Sequence, residues 1–518
     1  MVDIVEGLRA IQDAQSNPKD QIPPAGFKAT VAILHHGSPA NEYPIGSFIQ
    51  KIYVFENIES KGITGWCEIL DTYNLVRNGL IIGEELLYLK FMTAGVDIAG
   101  LNEDEWLVDF TEEPLYVHKI EDMTDAQTQT GGKTQSAITY KLHFMSPELI
   151  RNNRIKISKT LQGTYTDIIK KILTTELKST KALQATETED LKHIIIPNIK
   201  PFQAIDLMTQ SCQSISKGDT DDTAEFTSAV DRIITKTVQG EMWKGRMTDY
   251  NFWETSKGYK LMPTISPDLD VDFTVTVGGS LATPSYLGEM TTALSDSYDF
   301  HGDTYMSTKA GMWAAKQITH DSTNKYVNTY QSNYLTSIKD TLNSYVSETP
   351  VYTPSGDKEK NILGEDRRIT DFPDSIVMMD TYNSGSVTNI DKRSGDVTVP
   401  WALDPYTLDL RKMMQVNHAL NYYTMTLRIP GNSALYAGMN IKLDLPDVGR
   451  GSGFRQLKQA REVWENRLDN IWKIKKLVHV IDASQENLTY YCDLELSNSL
   501  RAIDKKLPAY DGLGSINF

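Results

Sequence analysis

Apolar and polar residues alternate with a period of two in two separate parts of this chain, which restricts the folds that it can adopt. Successive side chains of a β-strand point to opposite faces, so each such run predicts a half-buried strand. The alternating members are Leu87, Leu89 and Phe91; Ile138, Tyr140, Leu142 and Phe144; Tyr423, Met425, Leu427 and Ile429; Met439, Ile441, Leu443 and Leu445; Leu477, His479 and Ile481; and Tyr490, Cys492, Leu494 and Leu496. The sequence therefore predicts a mainly β (α+β) protein, with antiparallel sheets or barrels near both ends.

Between these blocks the period changes to that of helices. Ser146 and Pro147 suit the N-cap and the first position of one helix, and Thr164 with Asp167 forms a capping pair before a second helix. The run 194–196 predicts a short buried strand that the following proline ends. The half-buried helical stripes are Tyr165, Ile168, Ile169, Ile172 and Leu173, and then Phe202, Ile205 and Met208 in a helix that begins near Pro201.

Seven parts follow from these patterns. A Ser-Lys-Gly turn between 250–255 and 259–261 predicts a hairpin, and 271–277 alternates again. The predicted parts are 1–28, an N-terminal arm; 29–145, the first barrel domain; 146–232, an α/β insert whose end, 216–232, is a polar loop; 233–280, strands that return to the first barrel; 281–400, a middle β-rich and irregular domain with a polar loop at 354–368; 401–505, the second barrel domain, with a short helix at 410–420 and a charged stretch at 449–470; and 506–518, a C-terminal tail.

The size and charge of the chain restrict its organisation and its partners. It has 518 residues, and a single hydrophobic core rarely grows past about 250–300 residues, so several domains are expected. With 52 basic and 68 acidic residues, the formal net charge is −16. This charge argues against general binding to nucleic-acid backbones, which requires Lys and Arg to displace counterions. A well-solvated acidic surface explains the charge, and so does an acidic wall that repels DNA or faces a basic partner.

The cysteines and the N-terminus indicate a cytosolic origin. Cys67, Cys212 and Cys492 lie far apart, which suggests a reducing compartment without a disulfide framework. Cys67 and Cys492 are expected to be small buried hydrophobic residues. No signal peptide is recognisable, and the most apolar window, 80–92, contains three charged residues, so no membrane segment is predicted.

No motif for nucleotide binding, nucleophilic catalysis or zinc binding occurs in the sequence. The His35-His36 pair has no third ligand nearby, so it predicts solvent-facing side chains rather than a metal site. The histidine and aspartate pairs at 301–303 and 320–321 arise by chance in a chain with nine histidines. Glu84 and Glu85 are predicted to point to opposite faces of a strand, unlike a glycosidase pair. We therefore predict no catalytic, cofactor-binding or metal-binding residues, and a structural or binding protein rather than an enzyme.

Several segments, in this order along the chain, resemble the baseplate central hub proteins of contractile-tailed phages. Most are a strand with its adjoining turn, and their colinear order carries the resemblance. The most telling one is the strand-to-helix junction 195–205, Ile-Ile-Pro-Asn-Ile-Lys-Pro-Phe-Gln-Ala-Ile. The others are Val54–Ile58, Gly65–Asp71, Ile82–Leu86, Tyr140–Glu148, Ile157–Lys159, Phe252–Tyr259, Gly311–Trp313, Ile429–Ser433, Gly438–Ile441, Leu443–Pro446 and Asp493–Leu496.

The resemblance implies a homotrimer in which each subunit supplies two tail-tube-like β-barrel domains, so that six barrels form a pseudo-sixfold ring. One face would continue the hexameric tail tube through a tube-side baseplate adaptor, and the other would hold a trimeric cell-puncturing spike protein. The tape measure protein and DNA would pass through the bore, the DNA without specific binding. The protein would be a structural part of the virion, in the tail baseplate, and would assemble in the host cytoplasm. No β-helix follows the last predicted strand, so the spike is expected to be a separate chain. Segments 216–240 and 449–470 depart from the family pattern, and contacts there stay open.

Two other functions are compatible with the sequence. A receptor-binding or carbohydrate-active tail protein would have a cleft with paired carboxylates or an aromatic platform for sugars, and glycan binding would reveal it. A peripheral baseplate subunit would lie outside the tail axis and would not require a closed trimeric ring.

Overall fold

Strands dominate the described part of the chain, as the period-two runs predict. The computed structural model describes residues 27–35, 42–93, 106–130, 133–188, 192–209, 212, 250–263, 273–277, 292–300, 305, 309, 311, 314–321, 326–333, 374, 376–382, 423–444, 471–483 and 489–498. Its strands are β1 (Phe27–His35), β2 (Glu42–Pro44), β3 (Ile49–Asn57), β4 (Thr64–Asp71), β5 (Leu86–Thr93), β6 (Leu107–Asp109), β7 (Leu115–Thr130), β8 (Lys133–Met145), β9 (Ile157–Gly163), β10 (Leu183–Ala185), β11 (Lys192–Ile199), β12 (Tyr250–Thr255), β13 (Gly258–Pro263), β14 (Phe273–Thr276), β15 (Ser295–Phe300), β16 (Ala314–Asp321), β17 (Tyr326–Asn333), β18 (Val377–Tyr382), β19 (Tyr423–Pro430), β20 (Asn440–Asp444), β21 (Ile471–Asp482) and β22 (Thr489–Asn498). Its helices are α1 (Pro147–Arg154), α2 (Tyr165–Lys171), which a π-helical turn (Ile172–Glu176) extends, and α3 (Pro201–Thr209).

Fourteen of these strands form one continuous sheet. Its main path runs in the order β15-β19-β22-β21-β3-β4-β8-β7-β5-β1-β2, and β6, β14 and β20 attach beside it. The strand pairs in this sheet are antiparallel, apart from β14 with β20. The mainly β fold class is therefore confirmed, and closure of each block into a barrel stays a prediction.

The first block, strands β1 to β8, and the second block, strands β19 to β22, join edge to edge at β3 and β21. Seven residue pairs between 51–57 and 476–482 make this antiparallel junction, which we call the seam. On its inner side, Ile52, Val54 and Leu477 lie in one hydrophobic core that draws on both blocks. Because burial of apolar surface is the main stabilising term in folding, the shared core makes the two blocks one packed body.

The predicted inward positions of these strands are confirmed. Wherever the side chain of an alternating residue is described, it is buried in the core, because a half-buried sheet takes its apolar face from every second residue. The buried set is Leu87, Leu89, Phe91, Ile138, Tyr140, Leu142, Phe144, Met425, Leu427, Ile429, Met439, Ile441, Leu443, Leu477, His479, Ile481, Tyr490, Cys492, Leu494 and Leu496.

A second hydrophobic core lies in the region predicted as the α/β insert. It packs α2 and α3 against the two-stranded sheet of β9 and β11 and against the hairpin of β12 and β13. Thr164 and Asp167 form the predicted capping box. Ser146 is the N-cap of α1, with Pro147 at its start, but its hydroxyl bonds to Ile63 instead of capping the helix. The predicted helical stripes are confirmed as buried: Tyr165, Ile168, Ile169, Ile172, Leu173, Phe202, Ile205 and Met208.

One expectation for this region is wrong. The run 194–196 is not a buried strand that ends at Pro197, because β11 continues to Ile199 and pairs only with β9 among the described strands. Ile196 is buried, whereas Ile195 is 76% exposed. A two-stranded sheet packed on one side leaves its other face in solvent, so alternate residues of the run are separated.

The hairpin of β12 and β13 forms as predicted, with Thr255 paired to Gly258 around a two-residue turn. The parallel strand β10 extends it to three strands. Phe252, Tyr259 and Leu261 of the hairpin lie in the second core. β14 pairs with β20 of the second block. The domain boundaries, including the expected return of 233–280 to the first barrel, stay a prediction.

In the middle region, β16, β17 and β18 form a separate three-stranded sheet. Within the described ranges, no helix has the length and apolar character needed to cross a membrane. Several sequence predictions lie outside the described residues: most of the arm at 1–28, the loops at 216–232 and 354–368, the helix at 410–420, the charged stretch at 449–470 and the tail at 506–518.

Candidate functional site

Glu56 of β3 connects three parts of the chain at one buried point beside the seam. Glu56 is 1% exposed. Oε1 accepts a hydrogen bond from the Ser256 amide at 2.7 Å, and Oε2 accepts one from the Ala437 amide at 2.9 Å. Burial raises the pKa of Glu56, and the two amide donors oppose that rise. One carboxylate thus holds the β12–β13 hairpin and the segment before β20 against the first block.

Trp253 makes a second contact between the hairpin and the second block. Its indole Nε1 donates a hydrogen bond to the Ala437 carbonyl oxygen at 2.9 Å, and its ring packs with Ile58 and Ala437 in a small apolar cluster. Gly438 follows with φ +94°, and a Cβ atom there would lie 2.5 Å from the Trp253 ring. The close approach of the indole therefore requires a glycine at 438.

Substituting Gly438 with alanine is expected to cost roughly 2 kcal/mol of unfolding free energy, because the left-handed backbone and the indole contact both oppose a Cβ atom. Gly79→Ala is the matched control, since Gly79 has φ +70° but no atom within 4 Å of its Cβ position. The Gly79→Ala substitution should lower the free energy of unfolding by about 1 kcal/mol, from backbone strain alone. Urea denaturation of both variants measures the difference, and equal losses would show that Trp253 does not constrain position 438.

Lys181 lies among three carboxylates where the insert meets the first block. Its Nζ is 2.7 Å from Glu254 Oε1, 2.9 Å from Glu148 Oε2 and 3.6 Å from Glu113 Oε2. The Tyr259 hydroxyl also reaches Glu254, at 3.5 Å. Glu148 and Glu254 are fully buried, and the lysine side chain is 12% exposed. We call these five residues the Lys181 cluster.

The electrostatics of the Lys181 cluster favour a structural role. Burial alone would lower the pKa of Lys181, but Glu254 and Glu148 together raise it above its usual value. Burial, reinforced by Glu254, raises the pKa of Glu148. An ammonium group held in its charged form cannot act as a nucleophile or a general base. The cluster is therefore suited to holding elements together rather than to proton transfer.

Further contacts join the β12–β13 hairpin and α3 to the turn that precedes β4 in the first block. Glu254 Oε2 accepts a hydrogen bond from the Ile63 amide at 3.0 Å. Lys61 reaches from the same turn to the Phe252 carbonyl oxygen at 3.1 Å and to Asp206 of α3 at 2.8 Å. These contacts connect residues about 150 to 190 positions apart, so forming them requires the closure of a long loop of chain.

Thr93 and Ser433 connect the first and second blocks at another point. The amide of each residue donates to the hydroxyl oxygen of the other at 2.9 Å. Ser433 also donates its hydroxyl to the Trp106 carbonyl oxygen. Both residues are buried, so all of these polar groups depend on one another for their partners.

His479 of β21 is fully buried on the core side of the seam. Its Nδ1 lies 2.8 Å from the Tyr490 hydroxyl and 3.6 Å from the Cys492 Sγ, and the Phe91 ring meets it edge-on at 5.7 Å. Among the described residues, none forms a hydrogen bond with its Nε2. Burial, with a smaller effect from Lys257, lowers the pKa of His479 to about 3. The imidazole is therefore neutral within the folded core.

The histidine pairs noted in the sequence do not assemble into a site in the described part of the chain. His35 ends β1, while His36, His301 and Asp303 lie outside the described residues. His320 is exposed on β16. Within the described ranges, no group of three or more His, Cys, Asp or Glu side chains is placed to hold a metal ion.

The expected strand at Glu84 and Glu85 is wrong, whereas their expected opposite directions agree with Glu84 being exposed and Glu85 being buried. Both precede β5 in a loop, and Glu85 is fully buried. Its carboxylate accepts hydrogen bonds from the amides of Ile82 at 2.6 Å, Gly83 at 3.0 Å and Glu84 at 3.1 Å. An acidic side chain that bonds to neighbouring amides favours a turn over a strand, which the alternation pattern cannot reveal.

The three cysteines are buried free thiols, and the expected small hydrophobic role of Cys67 and Cys492 agrees with their burial. Burial raises the pKa of both of these thiols to about 12. Because the thiolate is the reactive form, neither residue is suited to nucleophilic chemistry at neutral pH.

Sequence reasoning missed Glu56 and Lys181. A signal for Glu56 was present, because it stands between Val54 and Ile58 at an inward position of β3 where the period of two predicts an apolar residue. A charged residue at such a position requires buried partners. Lys181 carries no comparable signal, since it lies in an irregular segment before β10.

No protein-family model matches the chain, and no curated protein matches it either. Among solved structures, it is similar to a 43 kDa prophage tail protein from Shewanella oneidensis, with 10% identity, 91% of this chain and 98% of that chain covered, and a TM-score of 0.44. A tail protein from Neisseria meningitidis is similar at 8% identity, with 91% and 96% covered and a TM-score of 0.43.

A third similar structure is an Escherichia coli component of the type VI secretion system, described as resembling phage T4 tail proteins. It has 6% identity, 91% of this chain and 76% of that chain covered, and a TM-score of 0.36. Likenesses with TM-scores below 0.5 do not assign a function to this chain.

Proposed function

We propose that this chain is the structural hub of a contractile phage tail baseplate, with a mechanical rather than a catalytic function. Three copies form a ring that adapts the hexameric tail tube to a trimeric cell-puncturing spike. The ring leaves a channel for the tape measure protein and for DNA. The subunit assembles in the host cytoplasm, contacts a tube-side adaptor and becomes part of the virion.

The seam is the observation that carries this proposal. It joins two strand-rich blocks of one chain edge to edge, through seven residue pairs of β3 and β21. Three such chains around an axis present six blocks, which match a sixfold tube, while three subunits match a threefold spike. The colinear resemblance to hub proteins supports the same arrangement.

The junction contacts fit a part that must transmit force. Glu56, Trp253 and Lys181 each connect segments that are distant in sequence. Breaking one of these contacts leaves a buried polar group without a partner, which costs about 1–3 kcal/mol and more for a charge. A subunit with several such contacts resists separation of its blocks.

The acidic composition fits a bore that DNA crosses without being held. Carboxylates repel phosphates, whereas binding would require clustered Lys and Arg. The formal net charge of −16 is favourable in this respect. A structure of the assembled ring in which the acidic side chains turn away from the bore would contradict this part of the proposal.

Native mass spectrometry of the purified chain, alone and mixed with the spike protein of its phage, tests the hub function. We expect a trimer, or a three-to-three complex that forms only when the spike is present. A chain that stays monomeric and ignores the spike would refute the hub. The peripheral baseplate and receptor-binding alternatives would then be separated by a glycan-binding screen.

A further inference from the structure

The hairpin of β7 and β8 extends beyond the sheet that contains it. The two strands pair with each other as far as Thr130 and Lys133, whereas β4 pairs with β8 only as far as Ile138. The neighbour on the other side, β5, pairs with β7 only near the start of that strand. Residues 126–130 and 133–137 therefore make a two-stranded extension with no third strand beside it in the described part of the chain, and we call it the ribbon.

An isolated two-stranded hairpin is marginally stable in water, because it has no apolar face to bury. The ribbon sequence does not supply such a face: between Ala126 and Ala137 it contains only Gln, Thr, Gly, Lys and Ser. What it offers is backbone, since the outer edge of a strand presents amide and carbonyl groups to another strand. Its composition thus fits docking by main-chain hydrogen bonds.

The base of the ribbon is bent and charge-balanced. A β-bulge at 121–124 interrupts the pairing, and Asp122 adopts φ +55° there. Bulges change the direction of a strand. Lys141 pairs with Asp122 at 2.7 Å, and Arg77 pairs with Asp125. Exposed ion pairs contribute little energy, but these leave no net charge among the four side chains at the base.

Four large apolar side chains are exposed at this base. Tyr73, Leu80 and Ile82 lie on the loop 72–85, and Met123 lies on the bulge, with exposed fractions between 41% and 66%. The Arg77–Asp125 pair places the loop beside the bulge. Single exposed apolar residues are normal, but several of them on two segments that an ion pair joins point to an interaction site. We call these four residues the apolar foot.

The loop that carries most of the apolar foot is fixed at both ends. Asp71 is buried and accepts hydrogen bonds from the amides of Tyr73 at 2.8 Å and Leu75 at 2.6 Å. Glu85 does the same at the other end with three amides. A loop held in one conformation before binding loses little conformational entropy on binding.

We propose that the ribbon and the apolar foot together form the surface by which one copy of this chain docks against a second copy. The apolar foot is buried at the centre of the contact, and the ribbon adds main-chain hydrogen bonds to an exposed sheet edge of the neighbour. Among the described strands of a second copy, β2 and β15 end the main path of the fourteen-stranded sheet and are edges of this kind. Each chain carries a net charge of −16, and the paired charges at the ribbon base let two copies meet here without opposing unpaired carboxylates. The inference rests on the proposed ring and names the surface that closes it.

Two variants test this surface in the 518-residue chain. In the first, an Asn-Gly turn replaces 127–136 and joins Ala126 to Ala137, which already face each other across the hairpin. The second combines Tyr73→Ser with Ile82→Ser. The control is Ile195→Ser, which removes an apolar side chain that is 76% exposed on β11.

Native mass spectrometry over a concentration series, with and without the spike protein, measures the oligomeric state of each variant. We expect both variants to melt within a few degrees of wild type, while the concentration for half-assembly rises about tenfold or more, and the control to match wild type. Variants that assemble like wild type would overturn the inference while leaving the hub function standing. A wild-type chain that never assembles would refute both. If the shortened ribbon does not fold, the foot variant decides alone.

Discussion

Substituting Lys181 with methionine should lower the free energy of unfolding by about 3 to 5 kcal/mol. Methionine keeps most of the apolar length of the side chain but removes the ammonium group that Glu254 and Glu148 share at 2.7 and 2.9 Å. Both carboxylates would then stay buried without their counter-charge, which is the costly way to break a buried ion pair. Urea denaturation at neutral pH measures the loss.

Lys476→Met is the matched control for this substitution. Lys476 pairs with Glu495 at 2.6 Å, but the two side chains are 43% and 30% exposed, so the expected change is within about 1 kcal/mol. Adding Glu148→Gln to the Lys181 variant should recover part of the loss, because it removes one of the unpaired charges. A Lys181 variant as stable as the control would mean that the cluster does not hold the insert in place.

Because of His479, the free energy of unfolding should fall by about 3 kcal/mol when the pH is lowered from 7 to 4. The pKa of this histidine is about 3 in the folded chain, against a reference value of 6.5. In that interval the unfolded state binds more protons than the folded state, so stability is lost as the pH falls from 6.5 toward 3. Protonation would place a charge in a core where Tyr490 and Cys492 are the polar neighbours of the ring.

The effect of His479 is isolated by comparison with His479→Asn, which keeps an acceptor for the Tyr490 hydroxyl and does not titrate. Glu56 acts in the opposite direction, since burial raises its pKa and the folded state gains a proton there as the pH falls. The measured quantity is therefore the loss between pH 7 and pH 4 in wild type minus that in the variant. His320→Asn, at an exposed site on β16, should leave this loss unchanged. Equal losses in wild type and His479→Asn would contradict the prediction.

The strand pattern of both blocks could be predicted from the sequence because burial on one face imposes a period of two. Leu142 and Leu494 illustrate the point, since both occupy inward positions and both are fully buried. The amphipathic helix α2 and its capping box are local features as well, and local chemistry specifies them. The exposure of Ile195 could not be predicted, because the run 194–196 does not reveal how many strands its sheet contains.

The candidate site was beyond sequence reasoning because its contacts are non-local. Glu56 bonds to Ser256 and Ala437, which lie 200 and 381 positions away, and no spacing rule relates such residues. The sequence does not distinguish Lys181 from other lysines, because Glu148 and Glu254 approach it only in the folded chain. A period of two or 3.6 residues indicates which side chains are buried. Partners from distant parts of the chain can be identified only in the folded structure.

The seam also has a consequence for biosynthesis. At ordinary elongation rates of about 5 to 20 residues per second, Ile471 leaves the ribosome roughly 20 to 80 s after Asn57. Throughout that interval β3 has no β21 to pair with, and its edge and the apolar residues beneath it stay open to other nascent chains. The first block therefore cannot complete its sheet during its own synthesis, and its β3 edge can be paired only when the last strands have been translated.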